Sequence, residues 1–461
     1  MSAPAHTPTS SDESVAVAAR LVAVLDRVLP FLGPGLAALL GLAALGRRSL
    51  GVDEASLLAA AQGSFSHVVE DALSHDPAKA GYLALLQPVA ALDESEVWLR
   101  LPSVVAAVVA AIAAYRLGRR LMSRYAGAAA SLVLATSVGA VGLSRTVGPL
   151  ALALAAMLLS SALFSRAVDG GNAFWWAAYA VSAALLPLTH PIAASALAAQ
   201  LAAAAVARRE IDLRVAVPAL AIAVLECGLL LVAAAADRAD APDGAGPLEL
   251  GDVGAGVGRA LGWSPVVAAL AVWGVVALHR RSEPGRGRWK AVLVGGLVVM
   301  PILFVLAAGI ALPVYPRTAL AVAAGGLSLG AGIGLVAITD RGVRLAAAAA
   351  LAVVAVAALG TAAARDERQD WRAAARLVEA RAAPRGTVVV LPERARAAFS
   401  YYAPQVRLSR IGRGDAVLVV VAGEPSAATA SGRRVVSTPR YALLSEDHAG
   451  DGLVVQRWVR P

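Results

Sequence analysis

Long apolar runs of membrane length alternate with short basic loops along most of the chain. The runs consist mainly of Ala, Val and Leu, whereas the helices of a soluble repeat protein would carry amphipathic stripes. Segments in hydrocarbon must satisfy their own backbone polar groups, as uninterrupted helices do. The pattern predicts an α-helical polytopic membrane protein with about eleven transmembrane helices, near residues 28–46, 100–115, 126–143, 147–164, 173–189, 191–207, 213–236, 262–279, 290–311, 317–338 and 344–363.

Composition and charge agree with this pattern. The 461 residues are 58% hydrophobic and only 16% charged, and the mean hydropathy of +0.68 is far above that of an ordinary soluble domain. The net charge of +9 comes from arginines in short loops between apolar runs. Such arginines set membrane topology and contact anionic lipids. The lipid bilayer is therefore a predicted partner, and nucleic acid is not.

The distribution of Lys and Arg predicts the orientation of the chain in a cell membrane. Alternate short loops carry most of these residues, and the loops that are rich in them face the cytoplasm. Residues 1–27 are then a cytoplasmic tail, and residues 28–364 form a multi-pass transmembrane domain. The long first loop, residues 47–99, and the segment 365–461 lie on the extracytoplasmic side.

These two polar regions have patterns of their own. The first loop predicts amphipathic helices on the membrane surface near residues 54–73 and 79–92, separated by a turn at His75, Asp76 and Pro77. In the segment 365–461, charged helical stretches alternate with β-branched runs such as TVVVLP and AVLVVVAG. This alternation predicts a small C-terminal α/β domain.

Two adjacent carboxylates, Asp53 and Glu54, follow the first apolar run. A pair of this kind beside a bilayer can bind a divalent cation or act as a general base toward an acceptor hydroxyl. An Asp before an apolar-periodic stretch is also a good helix N-cap. The residues alone leave both interpretations open.

The acidic pair is the first of three motifs that follow one another along the chain. The acidic pair is followed by DPAKAGYLALLQ, and then by SEVWLRLPS, which opens a helix ending in YRLGRRL. Residues 53–120 thereby resemble the GT-C superfamily of polyprenyl-phosphate-sugar-dependent glycosyltransferases, in the branch with protein O-mannosyltransferases and bacterial aminoarabinose transferases. A weaker resemblance continues at LSRTVGPLALALAA, LPLTHP, VYPRTALAVAAG and the segment beginning QDWRAAAR.

The resemblance implies roles for several residues. Asp53 would deprotonate the acceptor or hold a divalent cation, the one cofactor that the resemblance suggests, and Glu54 would support it. The donor would be a sugar on a membrane-anchored polyprenyl phosphate. Charge left on the phosphate calls for arginine, and the candidates are Arg317 and Arg145. Arg317 can instead be an interfacial anchor, and for Arg145 a structural role is the favoured interpretation.

Other residues are candidates for binding the substrate. His190 can donate a hydrogen bond to a sugar hydroxyl or simply end a helix. His75 and Asp76 can bind substrate or form an ordinary turn. Tyr82 stands where relatives carry an aromatic-rich element, and Tyr315 is either a substrate contact or an interfacial aromatic residue.

Arg100, within LRLPS, has a predicted structural role. We expect it to fix the first loop to the following helix by a salt bridge. The expected partner is Asp93, Glu94 or Glu96, which precede it closely in the chain.

The sequence thus predicts a membrane glycosyltransferase, of the inverting and hexosyl- or mannosyl-transferring kind. It would move a sugar from polyprenyl phosphate to a glycan, lipid or protein acceptor at the outer face of the cytoplasmic membrane. One alternative is a transporter or flippase of lipid-linked sugars, although the apolar runs contain few ionisable residues. Another is a catalytically inactive relative that serves as an assembly module.

Overall fold

The computed structural model is mostly helical and ends in a small mixed sheet. It describes residues 10–75, 77–238, 254, 258, 264–283, 286–311, 318–364, 369–381, 387–410, 416–422, 441–449 and 453–459. The predicted sites Asp76, Tyr315 and Arg317 lie outside these described residues.

The first part of the chain contains a long helix, three helices of the first loop and a second long helix. Their bounds are α1 Ser10–Leu42, α2 Val52–Ala60, α3 Phe65–His75, α4 Pro77–Leu92 and α5 Glu96–Leu121. The first predicted loop helix, near 54–73, is thus two helices. Gly63, with φ of 118°, lies at the break, in a backbone conformation that favours glycine.

The middle of the chain is a bundle of apolar helices. These are α6 Arg124–Thr136, α7 Val138–Ser144, α8 Pro149–Gly170, α9 Ala173–Ala184, α10 Leu186–Thr189, α11 Ser195–Ala207, α12 Leu213–Arg238, α13 Pro265–Arg281, α14 Trp289–Ala311, α15 Ala324–Ala337 and α16 Arg341–Ala364. Short 3₁₀ turns at Pro191–Ala194 and Ala319–Ala323 lead into α11 and α15.

Among the described residues, six helical stretches are long and apolar enough to cross a membrane. The helices α6 and α7, bent by 64°, would add a seventh if they form one broken span. Every predicted apolar run contains a helix, but some runs are interrupted. Pro187 and Pro191 lack the N–H that would continue a helix. The count of about eleven spans remains a prediction.

Small residues allow the helices of the bundle to approach closely. A Cβ atom added at Gly334 would lie 2.0 Å from the carbonyl oxygen of Leu270, and one at Gly274 would lie 2.0 Å from that of Gly330. The backbones of α13 and α15 therefore touch where these glycines meet. Such contacts are typical of helix pairs in membranes, which associate through close packing.

A polar cluster inside the bundle is fully hydrogen-bonded. The amide of Gln200 accepts from the Tyr179 hydroxyl at 3.1 Å and donates to Ser160 and Ser161 at 3.2 and 3.1 Å. These bonds join α8, α9 and α11. Because each group has a partner, the cluster stabilises the bundle rather than carrying a penalty for buried polar atoms.

The last part of the chain contains two helices and a five-stranded sheet, here called the C-terminal unit. Its elements are α17 Trp371–Arg381, β1 Thr387–Leu391, α18 Arg396–Tyr402, β2 Leu408–Ser409, β3 Ala416–Ala422, β4 Ala442–His448 and β5 Leu453–Val459. The strand order is β2-β1-β3-β5-β4. Strand β1 pairs in parallel with β2 and β3, whereas β5 runs antiparallel to β3 and β4.

Both faces of the sheet in the C-terminal unit carry buried residues. Val388, Val390, Leu418 and Val420 face one side of the sheet and pack with buried residues of α17 and α18, including Trp371. Alternate residues of a strand point to opposite faces, so one face forms this core. Whether residues 365–461 are an independent extracytoplasmic domain remains a prediction.

Candidate functional site

The acidic pair lies in the first turn of α2, where free backbone N–H groups favour carboxylates. The two side chains have different surroundings. Asp53 is exposed, whereas Glu54 is buried, with 5% exposure. Glu54 folds back so that one oxygen, Oε2, accepts a hydrogen bond from the Gly51 N–H at 2.8 Å. This bond fixes the start of the helix.

Arg100 of α5 is the partner of Glu54. Its Nε donates to Oε1 of Glu54 at 3.2 Å, and its Nη2 donates to Oε2 at 3.1 Å. The guanidinium side chain is only 1% exposed. The predicted partners Asp93, Glu94 and Glu96 were therefore wrong, although the predicted structural role of Arg100 holds. The two-pronged geometry is the one that arginine and carboxylate favour.

Arg100 also binds the backbone that leads into α2. Its Nη1 donates to the carbonyl oxygens of Leu45 and Arg48 at 2.8 and 2.9 Å, and its Nη2 to that of Ser49 at 3.1 Å. One buried cation thus neutralises Glu54 and holds the chain before the acidic pair. Removing either charge would leave the other buried without its partner.

A third element completes the cluster at the start of α8. The Val147 N–H donates to Oε1 of Glu54 at 2.7 Å. The Ser103 hydroxyl of α5 donates to the carbonyl of Thr146 at 2.6 Å. Glu54 therefore joins α2, α5 and the segment before α8. Its oxygens accept four hydrogen bonds, so Glu54 anchors the turn of backbone that carries the exposed carboxylate of Asp53.

Tyr82 of α4 lies at the same cluster. Its side chain is 1% exposed, and its hydroxyl lies beside Ser103 and the backbone of Gly148. No described residue forms a hydrogen bond of ordinary geometry with that hydroxyl. Burial raises the pKa of Tyr82, so the group stays protonated and able to donate. Its predicted role in substrate binding remains a prediction.

Arg145 and His190 make structural contacts. Nε and Nη2 of Arg145, which follows α7, donate to the carbonyl of Leu40 in α1 at 2.9 and 2.6 Å. The Nδ1 atom of His190 accepts from the Ile192 N–H at 3.2 Å and caps the 3₁₀ turn before α11. These contacts match the anchoring and helix-end alternatives. Their roles toward substrate remain predictions.

His75 is not brought to the cluster. It lies at the C-terminal end of α3, its side chain is 75% exposed, and its Nδ1 lies 3.1 Å from Oδ1 of Asp71. The role predicted for His75 in substrate binding remains a prediction. The neighbouring Asp76, like Tyr315 and Arg317, lies outside the described residues.

The described residues contain no group of three or more His, Cys, Asp or Glu side chains that could hold a metal ion. The oxygens of Glu54 are taken up by N–H donors. Asp53 is the carboxylate of the pair that a divalent cation could reach. Mg²⁺ often binds through one or two carboxylates together with substrate phosphate, so Asp53 fits such a role, which remains untested.

The sequence did not indicate several residues of this site. Val147 contributes only its backbone N–H, which carries no side-chain signal. Ser103 resembles any serine in an apolar helix, and Arg372 of α17, described below, lies 276 residues from its partner Glu96. A local sequence pattern does not predict contacts between residues so far apart in the chain.

Comparison with known proteins identifies the fold. The model of the family Dolichyl-phosphate-mannose-protein mannosyltransferase matches residues 77–234. The structure resembles ArnT from Cupriavidus metallidurans in the apo state, with a TM-score of 0.59, 13% identity, and coverage of 95% of this chain and 98% of ArnT. The fold is that of the GT-C membrane glycosyltransferases, so the predicted resemblance is confirmed.

Two further structures have bound ligands. ArnT from C. metallidurans bound to undecaprenyl phosphate matches with a TM-score of 0.56 and 13% identity, covering 92% of this chain and 97% of that one. Archaeal oligosaccharyltransferase AglB from Archaeoglobus fulgidus, in complex with an inhibitory peptide and a dolichol-phosphate, matches with a TM-score of 0.52 and 11% identity. That match covers 82% of this chain and 64% of AglB. A comparison with curated protein sequences finds no match.

Proposed function

We propose that this protein is an inverting glycosyltransferase that uses a polyprenyl-phosphate sugar. The observation that carries the proposal is the exposed Asp53 carboxylate held beside a buried, fully bonded Glu54. The match of the chain to a mannosyltransferase family model and to ArnT bound to undecaprenyl phosphate supports the same donor class. The proposed donor carries a hexose, with mannose to be tested first, because the description of the matching family model names a mannosyltransferase.

The proposed reaction takes place at the outer face of the cytoplasmic membrane, where the first loop lies in the predicted topology. An acceptor hydroxyl oxygen attacks the anomeric carbon of the sugar, and its proton passes to the carboxylate of Asp53. The bond between that carbon and the phosphate oxygen breaks, and its electron pair stays on the phosphate. Attack opposite the leaving group inverts the anomeric configuration.

The remaining residues have supporting roles in this proposal. Glu54 and Arg100 hold the turn that carries Asp53. The protonated hydroxyl of Tyr82 is available to donate to the sugar or phosphate. Arg145 and Arg317 would stabilise the negative charge of the leaving phosphate. If a divalent cation is bound, Asp53 would hold it, and the cation would neutralise charge on the phosphate.

The test uses purified protein in lipid vesicles with radiolabelled undecaprenyl-phosphate mannose, arabinose or aminoarabinose. A membrane extract of the source cells supplies acceptors. We expect the wild type to transfer label from one of these donors. Asp53→Asn should lower the rate by about 10² to 10⁴-fold, the range for loss of a general base.

The matched control is Glu70→Gln, the corresponding loss of charge at another exposed carboxylate of the first loop. Its rate should stay within about twofold of the wild type, since surface substitutions away from the site have small effects. Equal rates for Asp53→Asn and wild type would overturn the role of Asp53. Labelled lipid that crosses the bilayer with its sugar still attached would favour a transporter.

A further inference from the structure

The segment between α1 and α2, residues 45–51 and here called the connecting segment, is held by two arginines from different parts of the chain. Arg100 of α5 binds three of its carbonyl oxygens. Arg372 of α17 binds two, donating from Nη2 to Gly46 at 2.9 Å and to Arg48 at 3.2 Å. The carbonyl of Arg48 is thus shared by both guanidinium groups. The membrane bundle and the C-terminal unit both fix the backbone just before Asp53.

Two side-chain hydroxyls extend this contact. The Ser49 hydroxyl donates to the carbonyl of Gln369 at 2.8 Å and accepts from the Trp371 N–H at 3.2 Å. The Tyr402 hydroxyl accepts from the Leu50 N–H at 2.6 Å. Residues 49 and 50, four and three positions before Asp53, therefore both form hydrogen bonds with the C-terminal unit.

The Tyr402 hydroxyl has two hydrogen-bond partners, Leu50 and Glu96. It donates to Oε1 of Glu96, which also forms an ion pair with Arg372. Glu96 is 9% exposed. Burial raises the pKa of Tyr402, so the phenol keeps its proton for Glu96 while its oxygen accepts from Leu50. One hydroxyl thus links α5, the connecting segment and the C-terminal unit.

Apolar packing continues the contact into α2. Ala55, two residues after Asp53, is 3% exposed and belongs to the same core as Trp371 and Phe399 of the C-terminal unit. Val52, the residue before Asp53, packs against that core as well. Asp53 is exposed, although Val52 before it and Ala55 after it both pack against the C-terminal unit.

We propose that the C-terminal unit positions Asp53 for the reaction, and that Tyr402 and Arg372 are its positioning residues. The inference rests on the proposed function. Neither side chain needs to touch substrate, because both act through the connecting segment and α2. A displacement of about 1 Å of a reacting group can lower a rate by about 10²-fold. Loss of the contacts that hold Asp53 should therefore lower kcat and leave donor binding nearly unchanged.

The structure offers a matched pair of variants for the test. Tyr402→Phe removes the hydroxyl that binds Leu50 and Glu96. Tyr401→Phe removes a hydroxyl from the adjacent ring, which donates to the Glu94 carbonyl at 2.6 Å and not to the connecting segment. The two rings contact each other edge to face, with centroids 4.8 Å apart. Both variants should fold, since each loses a single oxygen atom.

The kinetic experiment measures kcat and KM with the radiolabelled undecaprenyl-phosphate sugar that the wild type uses. We expect Tyr402→Phe to lower kcat by about tenfold with the KM for donor within about twofold, the result of misplacing a reacting group. Tyr401→Phe should keep both constants within about twofold. Arg381→Gln, which breaks an ion pair with Asp447 inside the C-terminal unit, controls for loss of stability alone. Equal losses of kcat in all three variants would overturn the proposal.

A second measurement needs no enzymatic activity. A spin label is placed at Ser56, an exposed residue of α2, as Ser56→Cys in a Cys227→Ala background. We expect Tyr402→Phe to make this label more mobile and Tyr401→Phe to leave it unchanged. Equal mobility in the two variants would overturn the positioning role. Inactivity of the wild type toward every donor would overturn the proposed function instead, and the label would still decide the positioning role.

Discussion

At the scale of residues, two neighbouring carboxylates have opposite environments. Glu54 accepts four hydrogen bonds from Gly51, Arg100 and Val147, whereas Asp53 is exposed. A buried ion pair with additional hydrogen bonds holds its shape, but it depends on both partners. The structure therefore separates a buried residue that fixes the turn, Glu54, from an exposed residue beside it, Asp53.

This separation predicts different effects of two similar substitutions. Glu54→Gln should lower the stability of the protein by about 3 to 5 kcal/mol, because it leaves the Arg100 charge buried without its carboxylate. Asp53→Asn should change stability by less than about 0.5 kcal/mol, because that side chain is exposed. Thermal denaturation in detergent measures both. Similar melting temperatures for the two variants would contradict the assignment of Glu54 as the anchor.

The Tyr402 phenol makes the stability of the protein depend on pH. Burial raises the pKa of this phenol, so the folded protein holds this proton more tightly than the unfolded chain. Its stabilisation is complete below the unfolded pKa of about 10 and is lost as pH rises through the folded value. Tyr402→Phe should therefore lose less stability than wild type between about pH 9 and about pH 11. Identical pH profiles in thermal denaturation would contradict this.

At the scale of elements, the bundle depends on close helix crossings. Gly334 of α15 leaves room for the Leu270 carbonyl of α13. The backbone at such a crossing cannot move aside as a flexible side chain would. By contrast, Gly360 of α16 has no neighbouring atom within 4 Å of the position its Cβ would take. The same residue type therefore has a packing role in one helix that it lacks in the other.

The two glycines predict opposite results for the same substitution. Gly334→Ala should destabilise the protein by about 1 to 3 kcal/mol or more, because the added methyl group must push α13 and α15 apart. Gly360→Ala should be neutral or slightly stabilising, since Ala is the better helix former. Melting temperatures of the two variants in detergent test this. An equal fall for both would show that the crossing does not limit stability.

At the scale of the whole molecule, the connecting segment contacts both the membrane bundle and the C-terminal unit. The connecting segment receives hydrogen bonds from Arg100 on one side and from Arg372 on the other. A soluble unit that holds the first loop must lie on the same side of the membrane as that loop. The contact therefore ties the location of the C-terminal unit to the topology of the first loop.

Topology itself is open to measurement with single cysteines in a Cys227→Ala background. Ser66→Cys lies in the first loop, and Glu283→Cys lies between α13 and α14; both positions are described and not buried. The distribution of basic residues predicts that a membrane-impermeant maleimide labels Ser66→Cys in intact cells, but Glu283→Cys only after permeabilisation. The reverse pattern would place the first loop in the cytosol and remove the proposed enzyme from its donor.

The sequence by itself determined the local features of this protein. Apolar length and composition predicted a helical membrane protein because hydrocarbon demands internally bonded segments. The acidic pair and the motifs that follow it indicated the fold, which the similarity to ArnT confirms. Each of these signals is carried by one continuous stretch of the chain, where periodicity and spacing carry information.

The tertiary structure alone decided which side chains meet. Glu54 and Arg100 are 46 residues apart, and Ser49 and Gln369 are 320 residues apart. The sequence suggested nearer carboxylates for Arg100, because opposite charges close in the chain are the pairs that a pattern shows. Which charge is buried, and beside which partner, follows from how distant helices pack, and no local periodicity specifies that packing.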